Sequence, residues 1–249
     1  MEPVYRGIEI AAALAARAIG TRLTYQGLEN IPAVGGAVIA MNHISYIDFL
    51  PAGLATRQRR RRIRYMLKAE ALENPTVDWI IRHTRCIPVD RTAGAGAYAE
   101  ALRRLRAGEL VGVFPEATIS RSFELKEFKS GASRMALEAQ VPIIPLIMWG
   151  AQRMWTKDHP KDLGRRKIPL TVRAGEPVAP AGTVAELDAA LRAAMTALLH
   201  AVQDQYPHPP GAFWVPRRLD GGAPTPVEAA RLDEAELAER ARRRTAESA

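Results

Sequence analysis

Three features of the sequence predict an α/β fold with a mainly parallel central sheet flanked by helices. Strand-like and helix-like segments alternate from residue 36 to residue 203, the order expected of parallel strands joined by crossover helices. The runs GAVIAM, LVGVF and PIIPLIMWG are apolar at nearly every position, so they need cover on both faces. Helical periodicity is strong between and after them, above all over residues 94–107 and 183–203. An N-terminal helical element, read as facing a membrane, precedes this core.

That first element covers residues 2–18, where Val4, Ile8, Ala11, Ala12, Ala15 and Ile19 recur at helical spacing. Residues 36–43 then read as a buried strand, and residues 48–56 as the start of a helix. RIRYMLKAE (62–70) is a second strand, Val77, Ile80 and Ile81 mark a short helix, and CIPVDR (86–91) is a third strand. The helix over 94–107 turns Leu102 and Leu105 inward and stops at Gly108. LVGVFPE (110–116) is a strand running into a loop, residues 131–139 are a short helix, and residues 142–150 are a strand with no solvent face. One more strand is expected within 168–178. Thr183 and Glu186 stand at capping-box spacing, opening a helix whose buried stripe is Leu187, Leu191, Ala194, Leu198 and Val202. From residue 206 a Pro- and Gly-dense segment reads as a linker or surface-hugging stretch, followed by a charged, solvated helix over 227–244. The expected division is 1–30, a membrane-associating segment; 31–205, the α/β domain; and 206–249, the Pro/Gly-rich segment and charged tail.

Composition narrows the classes. With 249 residues, 47% hydrophobic and 25% charged, the chain is globular rather than disordered, collagenous or coiled-coil. The single cysteine, Cys86, excludes an intrachain disulfide and a cysteine-rich zinc site. No stretch reaches the roughly 18 consecutive apolar residues of a spanning helix. A net charge of +8 points to an anionic partner: nucleic acid, a membrane surface or a phosphorylated small molecule.

The chemistry gathers after the predicted strands, where ligands bind in open α/β sheets. Asn42-His43 and Asp48 follow the first apolar strand. A histidine can take a proton from an alcohol, and a nearby carboxylate can fix its tautomer; the same residues could equally be a surface histidine and a helix-capping aspartate. No Gly-x-Ser-x-Gly element supplies a nucleophile, so a catalytic pair here implies direct attack by a substrate hydroxyl. Glu116, Thr118, Ser120 and Arg121 follow the LVGVF strand, in a loop suited to a polar head group. Lys129 and Ser130 open a helix, a plausible anion site or an ordinary cap. Arg91 ends the CIPVDR strand and points to the same edge.

These blocks together resemble the glycerolipid acyltransferase family, whose type activity is acylation of 1-acyl-sn-glycerol 3-phosphate. The family's N-H-x-x-x-x-D block is met at Asn42, His43 and Asp48; its I-P-V-D-R strand at Ile87 to Arg91. Its F-P-E-G-T-R-S block is met at Phe114, Pro115, Glu116, Thr118 and Ser120, and its K-x-G-A and V-P-I-I-P elements at Lys129, Gly131, Ala132 and Val141 to Pro145. The resemblance implies an O-acyltransferase in which His43 is the general base and Asp48 orients it. The acyl thioester, on coenzyme A or acyl carrier protein, is a co-substrate, with no metal and no bound cofactor. Asn42, Lys68, Arg91, Glu116, Thr118, Arg121 and Lys129 line the acceptor site in this reading. The acceptor is a lysophospholipid, foremost 1-acylglycerol 3-phosphate, and the place of work is the cytoplasmic side of the cell membrane, peripherally bound.

Three positions depart from the family: Ile119 replaces an arginine, Ala117 a glycine, and Arg85 a glycine. They leave open a different lysophospholipid or a glycolipid acceptor, or an inactive membrane-binding relative. The run Arg57, Arg59, Arg60, Arg61, Arg62 and Arg64 is read as a docking surface for anionic lipid, each residue contributing about 1 kcal/mol. Phe213 and Trp214 are expected to add apolar insertion. A solvated loop is the plain alternative for the arginine run, and the lack of a nucleic-acid-binding motif beside it argues against nucleic acid.

Overall fold

The computed structural model describes residues 2–90 and 94–247, so Arg91 lies outside the described residues. Seven strands form one sheet: β1 (Arg22–Gln26), β2 (Ala37–Met41), β3 (Ile63–Lys68), β4 (Ile87–Val89), β5 (Leu110–Val113), β6 (Ile143–Trp149) and β7 (Pro169–Ala174). Their order is β1-β7-β6-β2-β5-β3-β4, parallel throughout except for the antiparallel β6–β7 pair. The helices are α1 (Pro3–Ala18), α2 (Phe49–Gln58), α3 (Pro75–Thr84), α4 (Ala95–Arg106), α5 (Gly131–Ala139), α6 (Val184–Asp204) and α7 (Pro226–Glu247).

Strand β2 shows why the sequence reads as it does. All five of its residues are buried, because successive side chains enter different cores. Val38 and Ala40 pack with Leu102, Leu105, Met135, Leu191 and Leu199 from α4, α5 and α6. Ala37, Ile39 and Met41 pack with Ala52 and Ala55 of α2 on the opposite face. Two cores behind one strand leave no polar position, which is the continuous apolar run seen in the sequence. On β5, Gly112 is required by close approach: a Cβ there would sit 2.3 Å from Ile63 Cγ2 of the neighbouring strand.

Several local expectations are refined. Strand β1 was not anticipated; RLTYQ is an edge strand with alternating exposure and no apolar run to announce it. In α6 the fully buried stripe is Leu187, Leu191, Met195, Leu199 and Val202, whereas Ala194 and Leu198 are half-buried. The capping box at Thr183 and Glu186 is present. The Pro/Gly-rich segment does more than cover the surface: Trp214, Val215 and Ala223 join the core beneath α6. Trp214 is therefore unavailable for membrane insertion, whereas Phe213 stacks on His159 and remains exposed.

Helix α1 lies against α2 and α3, with the Tyr5 hydroxyl donating to the Ile63 carbonyl at 3.1 Å and Glu9 buried beside Arg62 at 3.5 Å. Its outer face leaves Ile10 and Leu14 exposed. Among the described residues no helix is long and apolar enough to cross a membrane.

The arginine run takes a different place from the one expected. It sits at the start of β3, one strand length, roughly 20 Å, from the edge where β2 delivers His43. Arg61 donates to the carbonyls of Pro32, Gly35 and Gly108, and Arg59 to that of Ile31. Arg64 is buried and donates to Glu2, Glu109 and the Thr84 carbonyl, while Arg62 lies beside Glu2 and Glu9. Only Arg57 and Arg60 are exposed. Four of the six thus tie loops to the sheet, which leaves Arg57 and Arg60 as the exposed members of the run expected to dock. Arg64→Ala should cost about 2 kcal/mol in denaturant unfolding, because it removes the charge-assisted bonds of a buried guanidinium to Glu2, Glu109 and the Thr84 carbonyl. Its binding to anionic vesicles should be unchanged.

Candidate active site

His43 leaves β2 at the carboxyl-terminal edge of the sheet, between the ends of β5 and β6. Its Nδ1 lies 3.1 Å from Asp48 Oδ2. The same oxygen accepts the backbone N–H groups of Ile44 at 2.8 Å and Ser45 at 2.7 Å. Asp48 stands at the head of α2 but makes no capping bond to it; the chain turns so that its carboxylate faces back to the histidine. The capping alternative is therefore set aside. An imidazole that donates from Nδ1 to a carboxylate keeps Nε2 unprotonated, the tautomer a general base needs. The ring stacks on Phe114 at 4.2 Å and keeps a fifth of its surface open.

Asp48 is wholly buried, and its Oδ1 has no hydrogen-bond partner among the described residues. Burial raises its carboxyl, opposed by the bonds from His43, Ser45 and Ile44. Glu116, after β5, is the second buried carboxylate. Its Oε1 accepts from His43 N at 2.8 Å and its Oε2 from Lys126 N at 3.0 Å, so it clamps the two loops together. Burial pushes it up to about 7 against those two bonds and the Lys126 charge. Ser120 N donates to the His43 carbonyl at 2.8 Å, closing the clamp.

The loop after β6 fixes the other side. Ser45 Oγ donates to the Trp155 carbonyl at 2.6 Å, and Thr156 Oγ1 to the Ile44 carbonyl at 2.8 Å. The Asn42 amide exchanges bonds with the backbone of Met148, at 2.9 and 2.7 Å, and is fully buried. It extends the β2–β6 ladder as a side-chain rung. The acceptor-binding role expected for Asn42 is therefore corrected to positioning.

The remaining expected residues are spread along the same edge. Lys68 ends β3, two strands from β2 and thus about 10 Å away laterally. Lys129 is exposed before α5, its N–H bonded to the Pro115 carbonyl. Thr118 accepts from Lys126 Nζ at 2.6 Å. Arg121 is buried against Asp158, Asp233 and Glu236. Sequence reasoning missed Lys126 and Lys157, which share these carboxylates; nothing in their local sequence marks a contact with residues more than 70 positions away.

The family departures acquire physical reasons. Ala117 and Arg85 adopt left-handed backbone at φ 59° and φ 58°, the conformation that favours the glycine they replace. Ile119 is buried, as suits the apolar side chain that stands in place of the arginine.

Behind Phe114 a cavity of about 410 Å³ runs between α1, α2, α3 and β3. Ile8, Leu54, Leu67, Ile80 and Ile81 make its walls apolar, with Glu9 and Thr84 as polar exceptions. Cys86 also lines it, and burial pushes its thiol up, away from nucleophilic duty.

Two measurements follow from this geometry. The folded protein holds the Glu116 proton between about pH 4.5 and 7, where the unfolded chain has released it, so stability falls as pH rises through that window. Asp48 adds a change of the same sign. Denaturant unfolding across that range should show a shallower slope in Glu116→Gln than in the parent. Ala117→Gly should raise unfolding stability by about 1 kcal/mol, the left-handed strain relieved less the backbone entropy of glycine.

Comparison with known proteins agrees with this architecture. The family model described as Acyltransferase matches residues 22–149, a span containing His43, Asp48, Glu116 and Lys129. The 1-acyl-sn-glycerol-3-phosphate acyltransferase of Bacillus subtilis is 32% identical over 123 residues, covering 49% of this chain and 60% of that one. The enzyme of the same name from Borreliella burgdorferi is 28% identical, covering 56% of each chain. This chain thus spans little more than half the length of these curated relatives. The crystal structure of the 1-acyl-sn-glycerophosphate acyltransferase of Thermotoga maritima aligns with a TM-score of 0.67 at 23% identity, over 82% of this chain and 81% of that one, and shares the fold. With just over half its length matched by the family model, the chain belongs to the acyltransferase family.

Proposed function

We propose that this protein transfers a fatty acyl group from an acyl thioester to the free hydroxyl of a lysophospholipid. The single observation that carries the reading is His43 held by Asp48, with no bond to Nε2 among the described residues, beside an apolar cavity. His43 Nε2 takes the proton of the acceptor hydroxyl as its oxygen attacks the thioester carbonyl. Asp48, as carboxylate, stabilises the imidazolium that forms. The tetrahedral intermediate then expels the thiolate, which His43 protonates as the C–S bond breaks. The donor, on coenzyme A or acyl carrier protein, enters as co-substrate, and no resident metal or cofactor is invoked. A cavity of about 410 Å³, within the range of small-molecule pockets, supports an acyl-chain site next to the base.

The acceptor favoured is 1-acylglycerol 3-phosphate, giving phosphatidic acid, since that is the activity in the names of the curated relatives. Peripheral binding on the cytoplasmic face of the membrane completes the proposal. Its support is the outward apolar set of Ile10 and Leu14 on α1, Phe49 on α2 and Trp79 on α3, rather than the arginine run.

The test is thiol release from palmitoyl-coenzyme A with lysophosphatidic acid present or absent. His43→Ala should abolish acceptor-dependent release while circular dichroism stays unchanged. Asp48→Asn should lower kcat by about 10⁴-fold, as loss of the orienting carboxylate does in a Ser–His–Asp triad. Near-normal turnover in His43→Ala would end the mechanism. Liposome binding without thioester consumption, with any acceptor, would instead support an inactive membrane binder.

A further inference from the structure

Beside the catalytic loops lies a group of three cations that the acyl-transfer mechanism does not use. Arg121, Lys126 and Lys157 converge from the loops after β5 and β6, and little of Arg121 or Lys157 reaches solvent. At their focus sits one carboxylate of α7. Asp233 accepts through Oδ1 from Arg121 and, at 3.4 Å, from Lys157, and through Oδ2 from Lys126. Glu236 accepts from Arg121 at 2.9 Å and from Lys157 at 2.8 Å. Asp158, more than half exposed at the rim, takes the Arg121 Nε at 2.5 Å.

The helix that brings these anions has little else to hold it. Among the described residues of α7 only Ala229, Asp233 and Glu236 are not exposed, and Val227, Leu232 and Leu237 all face solvent. Its attachment to the sheet edge is therefore electrostatic, and an anion of higher charge can compete with it. The cations adjoin the reaction centre. Lys126 bonds Thr118 through Nζ and Glu116 through its N–H, and Glu116 in turn bonds His43 N. Lys157 directly follows the Trp155–Thr156 pair that clasps Ser45 and Ile44.

We propose that Arg121, Lys126 and Lys157 form a binding site for a phosphate monoester, held shut here by Asp233 and Glu236 as resident anions. A phosphate monoester carries nearly two charges and three acceptor oxygens, which suits one guanidinium fork and two ammonium groups better than a carboxylate does. The inference rests on the acyltransferase reading only for the identity of the lipid that bears the phosphate.

The test uses the full chain without donor, at matched ionic strength, following hydrogen exchange of residues 226–247. Inorganic phosphate or lysophosphatidic acid micelles should speed exchange in α7 by about tenfold over chloride, the size of a typical coupling between competing ligands. Asp233→Asn with Glu236→Gln should bind inorganic phosphate about tenfold more tightly by calorimetry, the competitor having been neutralised. Lys126→Gln with Lys157→Gln should lose the phosphate response. A response to the lipid alone assigns the site to lipid head groups; a response to inorganic phosphate alone assigns it to soluble phosphate esters. No response to either, or an equal response to lysophosphatidylcholine, whose phosphate is a diester, overturns the proposal. Because binding is read without turnover, a failure of acyl transfer leaves this result standing, and the reverse holds too.

Discussion

The Asp48 carboxylate is the interaction on which the rest of the site depends. One of its oxygens gathers the His43 ring and two successive backbone N–H groups within 3.1 Å, in a place closed to water. Burying a carboxylate is costly unless donors meet it, and here the donors come from the turn that it also shapes. The same bonds therefore fold the exit of β2, choose the histidine tautomer and aim Nε2 outward. Glu116 repeats the device one strand over, joining His43 N to Lys126 N through two oxygens of one buried carboxyl.

The parallel sheet separates the tasks of its charged residues. At the carboxyl-terminal edge, carboxylates and cations face the reaction site and α7. At the amino-terminal edge, Arg61 and Arg64 satisfy loop carbonyls and the half-buried Glu2 and Glu109, which is structural work. A net charge of +8 says nothing about that division. It becomes visible only when strand direction is known, since the two edges lie a strand length apart.

What was legible in the sequence was whatever depends on local pattern. The buried strands β2, β5 and β6 announce themselves as apolar runs because both faces meet a core. His43 and Asp48 are legible because they are five residues apart and one turn suffices to join them. Strand β1 was not, since an exposed edge strand needs only alternate cover. Asn42 was placed in the right neighbourhood with the wrong duty, and Arg121 in the right neighbourhood without its partners. Their partners, Met148 and the carboxylates of α7, lie more than 100 residues away, and no local pattern encodes them. Ile119 illustrates the same limit: the alignment of blocks gives its position in the loop, but only the fold gives the direction of its side chain.

The central claim is direct attack by the acceptor on the thioester, with His43 as base and no acyl-protein intermediate. Intact mass measurement after mixing the protein with palmitoyl-coenzyme A, in the absence of acceptor, tests it most directly. The account predicts unmodified protein and no early burst of free thiol, followed by thiol release once lysophosphatidic acid is added. A protein heavier by one palmitoyl group, formed at the rate of a thiol burst, would contradict it.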